Sequence, residues 1–353
     1  MIIVNRLAVT AATLTAVAVT ATACGTTDVE DVPTAASAAP ASQNCAEDTT
    51  TTSTGPVSMT DGVGRKVELA KPASRVAVLE WQQTEDLITL CVNPVAVASP
   101  DGYKQYVTAE KLPEGVASAG ERGEPDLDAL YASNPDLIVM EVYKADDELL
   151  AKLEKRGVPV LATVGADAKG QIDNMKKVFS MIGTATGRTE RADAVLKDFD
   201  AHFAAAKEKL AAANVPATKF LFFDGWIEGS NVVIRPYGKG ALFTEIGEQL
   251  GMTSAWTDEI NSAYGSGGVD PSYGLAQTDI EGLTAVGDAT LFYANDGTPE
   301  NYVTELNKSA IWKALPAVKE GRAHTFPNSV WGAGGPKSNE QAIDAYVNIL
   351  TTK

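Results

Sequence analysis

The sequence predicts two α/β lobes, each with a central, mostly parallel sheet covered by helices, joined by one long helix. Three observations carry this. Short apolar runs alternate with helical patterns across residues 55–170. A purely helical stretch then fills 171–214, and the alternation resumes over 215–353.

Arg75-Val-Ala-Val-Leu79 is short and apolar, the pattern of a buried strand. Leu87, Ile88, Leu90 and Cys91 follow at helical spacing, and Pro94-Val-Ala-Val-Ala98 is a second strand. Pro125-Asp-Leu-Asp-Ala-Leu-Tyr131 reads as a helix with proline in its first turn and acids near its positive end. Asn134-Pro-Asp-Leu-Ile-Val-Met140 is a third strand; residues 148–156 form a helix stopped by Gly157, and Val158-Pro-Val-Leu161 is a fourth strand. The helical stretch breaks near Gly183 and Gly187, and beyond the break Leu196, Phe199, Phe203, Ala206 and Leu210 fall on one stripe. About 25 residues at ~1.5 Å each make a rod of roughly 37 Å, long enough to bridge two lobes. In the second lobe, 219–223, 232–234, 289–293 and 322–326 read as strands, and 241–250, 311–318 and a closing segment from Ser338 as helices.

Ahead of the lobes, residues 7–23 are uncharged and rich in Ala, Thr and Val, and end in Ala21-Thr22-Ala23-Cys24. This is the layout of a secretory signal whose cleavage leaves a cysteine at the new N-terminus. The lipoprotein form, with Cys24 acylated, anchors the chain to the outer face of the cell membrane; an ordinary signal peptide with an incidental cysteine is the competing reading. Residues 24–54 are mostly Thr, Ala, Ser, Asp and Pro, which cannot repay ordering and read as a flexible tether. In an oxidising compartment Cys45 and Cys91 form either a disulfide, pinning the tether to the body, or two free thiols.

The formal charge is −17; without the signal and its Arg6 it is 28 − 46 = −18. Such a balance argues against nucleic acid and favours neutral or cationic ligands. An enzyme is not expected. There is no Gly-x-Ser-x-Gly elbow and no phosphate loop, and Gly332-Ala-Gly-Gly335 is not placed between a strand and a helix. The two histidines, His202 and His324, cannot build a His-rich metal cluster, so no metal is expected to be held directly.

Arg75-Val-Ala-Val-Leu-Glu-Trp81, Gly120-Glu-Arg-Gly-Glu-Pro-Asp-Leu-Asp128, the segment from Gly240 to Ala255-Trp256, and Ile311-Trp-Lys-Ala-Leu-Pro-Ala-Val-Lys-Glu-Gly-Arg322 together resemble one family. It comprises the periplasmic-type binding proteins for siderophores and cobalamin, whose lobes are joined by a single long helix. Within it the chain is most similar to binders of ferric hydroxamate siderophores of the ferrichrome and ferrioxamine type. The resemblance implies a monomer that takes a ferric siderophore as ligand, needs no cofactor and delivers its cargo to an ABC permease. It assigns Arg122 and Tyr143 to the oxygens around iron, where a guanidinium fork and a phenol can hydrogen-bond without displacing the metal. It makes Tyr264 and Trp331 aromatic walls; Trp81 and Tyr103, at the ends of the first two strands, are placed to form the opposite wall, and Arg235, costly after an apolar strand unless paired, is a second candidate ligand cation. Asp128 and Glu248 become the permease-docking acids, one per lobe. Haem or a corrinoid is the alternative cargo; a partner-binding lipoprotein that lost its ligand is the alternative from another class. Convergence of Arg122, Tyr143 and Tyr264 on one cleft discriminates the last from the others.

Overall fold

Val76, Ala77 and Val78 have no exposed surface, and that run is the middle strand of a parallel sheet. Strands buried on both faces read as unbroken apolar runs, which is why they are visible in the sequence. The structure, a computed structural model, describes residues 45–213, 215, 219–295, 297–298, 301–328 and 330–352; the signal segment and Cys24 lie outside these.

An antiparallel hairpin of β1 (Val57–Thr60) and β2 (Lys66–Leu69) opens the described chain. The first lobe follows with β3 (Val76–Val78), α1 (Trp81–Thr89), β4 (Ala96–Val97), α2 (Pro100–Tyr106) and β5 (Ala117–Ser118). It continues through the short strands β6 (Gly120–Glu121) and β7 (Glu124–Pro125), then α3 (Leu127–Ala132), β8 (Leu137–Glu141), α4 (Glu148–Glu154) and β9 (Val160–Thr163). The sheet order is β5-β4-β3-β8-β9, parallel throughout. Pro125 lies before its helix rather than inside it: Asp126 is the N-cap of α3, its carboxylate accepting from the N–H groups of Asp128 and Ala129.

Two helices follow, α5 (Gln171–Ala185) and α6 (Thr189–Ala212). The 24 residues of α6 span roughly 36 Å. Ala192 and Val195 near its start pack in the core of the first lobe, whereas Phe199, Phe203, Ala206 and Leu210 pack in that of the second. α5 crosses in the opposite direction, with Ile172 and Met175 in the second core and Phe179 and Ile182 in the first. The long helix α6 therefore bridges the two lobes as expected, and α5 runs beside it across the same gap. At its crossing a Cβ on Gly183 would stand 2.8 Å from that of Ala192, so only glycine allows this approach.

The second lobe holds β10 (Lys219–Glu228), β11 (Asn231–Pro236), α7 (Leu242–Gln249), β12 (Thr253–Ser254), α8 (Asp258–Tyr264), β13 (Thr290–Tyr293), α9 (Tyr302–Leu306), α10 (Ala310–Ala314), α11 (Pro316–Lys319), β14 (Ala323–Thr325) and α12 (Pro336–Thr351). Its sheet runs β11-β10-β13-β14, with β12 beside the start of β10; only the β10–β11 pair is antiparallel. The single helix expected over 311–318 is two, because Pro316 lacks the N–H a continuing helix needs and begins the second.

Residues 45–54, expected as tether, are held on the body. Cys45 is bonded to Cys91. Arg188, at the turn between α5 and α6, donates to Leu90 O at 2.9 Å and Thr52 Oγ1 at 2.8 Å, and pairs with Asp48. Ser53 N donates to Gly187 O at 2.8 Å. Composition alone misses this, because the order comes from a cross-link and a buried guanidinium rather than from apolar burial.

Candidate functional site

In parallel sheets ligands gather outside the carboxyl ends of the strands. Here those ends deliver Glu80 and Trp81 after β3, Tyr143 after β8, Gly165 after β9, Asn295 after β13 and Pro327 after β14. Between the lobes lies a cavity of about 730 Å³, within the range of small-molecule sites. Gln82, Tyr106, Arg122 and Gly165 line it from one side and Asp224, Trp226, Arg235, Tyr273 and Trp331 from the other. Its floor is aromatic: Phe222 packs against Tyr237 at 4.8 Å, Phe243 at 4.6 Å and Phe326 at 5.0 Å between ring centroids. Such pairs contribute about 0.5–1.5 kcal/mol each beyond area burial and hold the floor rigid.

Arg122 sits in the tight turn between β6 and β7. Its Nε and Nη2 donate to Glu80 Oε2 at 3.0 and 2.8 Å, and Nη2 lies 2.7 Å from Oε1. Its guanidinium carbon stands 4.3 Å from the centroid of Trp81 and 5.4 Å from that of Trp331. Charge pairing and aromatic faces thus fix the fork before any ligand arrives. Burial pushes the Glu80 carboxyl above its usual range; Arg122 opposes this and Glu141 adds to it.

Arg235 is cross-strand partner to Asp224 in the β10–β11 hairpin. Its Nε and Nη2 reach the two Asp224 oxygens at 2.7 and 2.5 Å, and Tyr237 donates its hydroxyl to the same carboxylate at 3.2 Å. Both cavity arginines are therefore already matched by a carboxylate.

Trp81 is buried beneath Trp331, 5.0 Å between centroids, and stacks on Tyr106 at 5.7 Å. Tyr103 does not form a wall: it is 0% exposed and donates its hydroxyl to Glu110 O at 2.9 Å. α2 turns it inward and carries Tyr106, three residues on, to the cavity. Tyr143 is 46% exposed and does not itself line the cavity; its hydroxyl lies 2.6 Å from Glu141 Oε1 and its ring 6.4 Å from that of Tyr273. Tyr264 does not line the cavity; it ends α8, 45% exposed, and Tyr273 from the same glycine-rich segment lines it instead. Tyr273 donates to Glu141 Oε1 at 2.9 Å, so one carboxylate joins the two lobes. Arg122 thus lines the cleft, Tyr143 adjoins it through Tyr273, and Tyr264 stands apart.

Below the cavity, α1 meets the N-terminus of α12. Glu85 accepts from Ser338 N at 2.8 Å and Ser338 Oγ at 2.5 Å, and Asp86 beside it is equally buried. Burial pushes the Glu85 carboxyl up to about 7, and burial together with Glu85 holds that of Asp86 well above its usual range. Asp128 and Glu248 are exposed, the first with Arg156 Nη2 at 3.6 Å. His202 lies on the surface of α6 against Asp344 at 2.9 Å.

With this geometry in hand, residues 76–330 match the periplasmic binding protein family, more than half of the chain. The chain belongs to that family. This binding protein is 24% identical over 282 residues to the iron(3+)-hydroxamate-binding protein FhuD of Escherichia coli, covering 79% of this chain and 88% of FhuD. Its fold matches the siderophore-binding protein FhuD of Vibrio cholerae, solved with Fe3+-Desferal, with TM-score 0.65, 24% identity, and coverage of 79% of this chain and 98% of that one. It also matches the triscatecholate siderophore-binding protein FeuA of Bacillus subtilis, solved with ferri-bacillibactin, at TM-score 0.63 and 20% identity, covering 83% and 98%. The family is one of transport binding proteins, not enzymes, and its members act outside the cytoplasm.

Proposed function

We propose that this protein captures an Fe(III)-siderophore of the hydroxamate type and delivers it to an ABC permease for iron uptake. The observation that carries the reading is the charge balance of an aromatic cavity. Arg122 is neutralised by Glu80 and Arg235 by Asp224. Three singly charged hydroxamates cancel Fe(III) and give a neutral complex, which such a cavity accepts. A ferric triscatecholate keeps three negative charges and needs cations that are not already paired; desolvating it beside Glu80 and Asp224 is unfavourable. Arg122 and Arg235 still have N–H groups to offer the iron-bound oxygens, Tyr143 stands beside the lining Tyr273, and Trp331, with Trp81 buried behind it, backs the organic part of the ligand. Nothing is hydrolysed, and the iron stays in its chelator.

The same reading keeps the chain a monomer, anchored through acylated Cys24 and the tether to the outer face of the membrane. Asp128 and Glu248 meet arginines of the permease. The test is a titration of residues 45–353 with a ferric trihydroxamate, a ferric triscatecholate, haem and cobalamin, followed by tryptophan fluorescence. Saturable quenching by the trihydroxamate and none by the triscatecholate is expected. Tight binding of the triscatecholate, haem or cobalamin alone would replace the reading.

A further inference from the structure

The cavity is lined by two cations, Arg122 and Arg235, and one carboxylate, Asp224, while Glu80 and Glu141 stand behind it, bonded to the lining residues Arg122 and Tyr273. Glu80 and Asp224 are each taken by an arginine. Glu141 has no ion pair among the described residues. Its Oε1 accepts from Tyr143 and Tyr273, one from each lobe, at 2.6 and 2.9 Å. The two phenols fix the orientation of the carboxylate, and neither brings a positive charge to it. Oε2 accepts no hydrogen bond among the described residues and is not among the polar atoms sealed from solvent. It lies against Gly165, a cavity-lining residue, where a Cβ would fall 1.9 Å away. The wall there is thus reduced to a glycine hydrogen, and the carboxylate comes to the edge of the binding space. Glu141 ends β8 beside Glu80, which follows the neighbouring parallel strand β3. An oriented, half-open carboxylate at a cavity edge lacks a positive partner, and the ligand is the group that arrives.

We infer that Glu141 is a specificity-determining residue that binds a primary ammonium on the siderophore, selecting ferric trihydroxamates with a cationic tail over uncharged ones. The inference rests on the hydroxamate reading. Arg122 and Arg235 face the neutral iron centre, and Glu141 takes the tail beside Tyr143 and Tyr273, whose rings stand 6.4 Å apart between centroids. An ion pair at a partly solvated edge contributes modestly, so the preference is about three- to tenfold in Kd.

The experiment compares the ferric complex of desferrioxamine B, whose tail ends in a primary ammonium, with the same complex acetylated on that amine. Both are titrated into the wild type and Glu141→Gln at low and at high salt. The wild type is expected to bind the ammonium form about three- to tenfold more tightly at low salt, less so at high salt. Glu141→Gln keeps an acceptor for both phenols and is expected to bind the two chelates equally, with the acetylated one bound as in the wild type. Equal binding of both chelates by the wild type, or a preference that survives in the variant, would overturn the inference and leave the hydroxamate reading standing. Binding of neither chelate by the wild type would overturn both. Should the variant lose its fold, the salt dependence of the preference in the unmodified protein decides.

Discussion

Replacing Glu85 by Gln changes the stability of this protein in a way that depends on pH. Glu85 has no exposed surface, accepts from Ser338 N and Ser338 Oγ, and has Asp86 and Glu110 as its acidic neighbours. Its carboxyl moves from 4.5 to about 7 on folding. A folded-state value above the unfolded one means the folded chain prefers the protonated acid. The stability of that form is complete below pH 4.5, falls as the pH rises towards 7, and then levels off. At roughly 1.4 kcal/mol per tenfold, the interval from 4.5 to about 7 amounts to about 3 kcal/mol. Gln mimics the protonated acid: its carbonyl accepts from Ser338 N and its amide donates to Ser338 Oγ. Urea unfolding at half-unit steps from pH 4.5 to 8.5 measures the difference. The two proteins should be similar at pH 4.5, and the variant should gain by about 3 kcal/mol at pH 8. Asp86 contributes a slope of the same sign in both, and a shallower one in the variant, where Glu85 no longer helps to raise it, so it adds to the variant's gain. A difference that stays constant over the whole range would refute the claim that this junction holds its acid neutral.

Arg122→Ala should weaken binding of a ferric trihydroxamate about ten- to hundredfold in a fluorescence titration, because hydrogen bonds from a charged group are lost. Arg122→Lys should recover only part of it, since an ammonium cannot reproduce the fork. Reducing the Cys45–Cys91 bond, or replacing both cysteines by Ser, should destabilise the folded protein by about 3–4 kcal/mol for a sequence separation of 46, read from denaturant midpoints with and without reductant. Asp128→Arg combined with Glu248→Arg should leave the Kd for the ferric complex unchanged and abolish iron uptake in cells; undiminished uptake would remove these acids from permease docking.

Much of the fold was legible because its strands are buried on both faces. Val76-Ala-Val78 and Leu137-Ile-Val-Met140 announce themselves as apolar runs. The β1–β2 and β6–β7 hairpins were not read, since their strands are short and mostly polar and carry no period. That α5 shares the bridge was hidden for another reason: both halves of it are apolar, and only contacts reveal that they belong to different cores.

In the candidate site, Arg122 and Trp331 were singled out from motif position, and both line the cavity. Tyr273 was missed in favour of Tyr264, because nothing periodic in a glycine-rich segment tells which tyrosine turns inward. Tyr103 was misplaced for want of the phase of α2. Asp224 was within reach: a hairpin turning at Gly229-Ser230 pairs Glu228 with Asn231 and, counting outward, Asp224 with Arg235. Glu80 stood in the quoted motif, but its role needs the spatial approach of Arg122 from 42 residues away. Glu141, which binds nothing nearby in sequence except Tyr143, had no signal at all.

The most direct test of hydroxamate capture is a crystal of this protein grown with a ferric trihydroxamate, with iron located by its anomalous scattering. One iron peak is expected inside the cavity between the lobes, with a chelate oxygen within hydrogen-bond distance of the Arg122 guanidinium. An iron peak outside the cavity, or an occupied cavity in which Arg122 stays bound to Glu80 and touches no ligand oxygen, would contradict it.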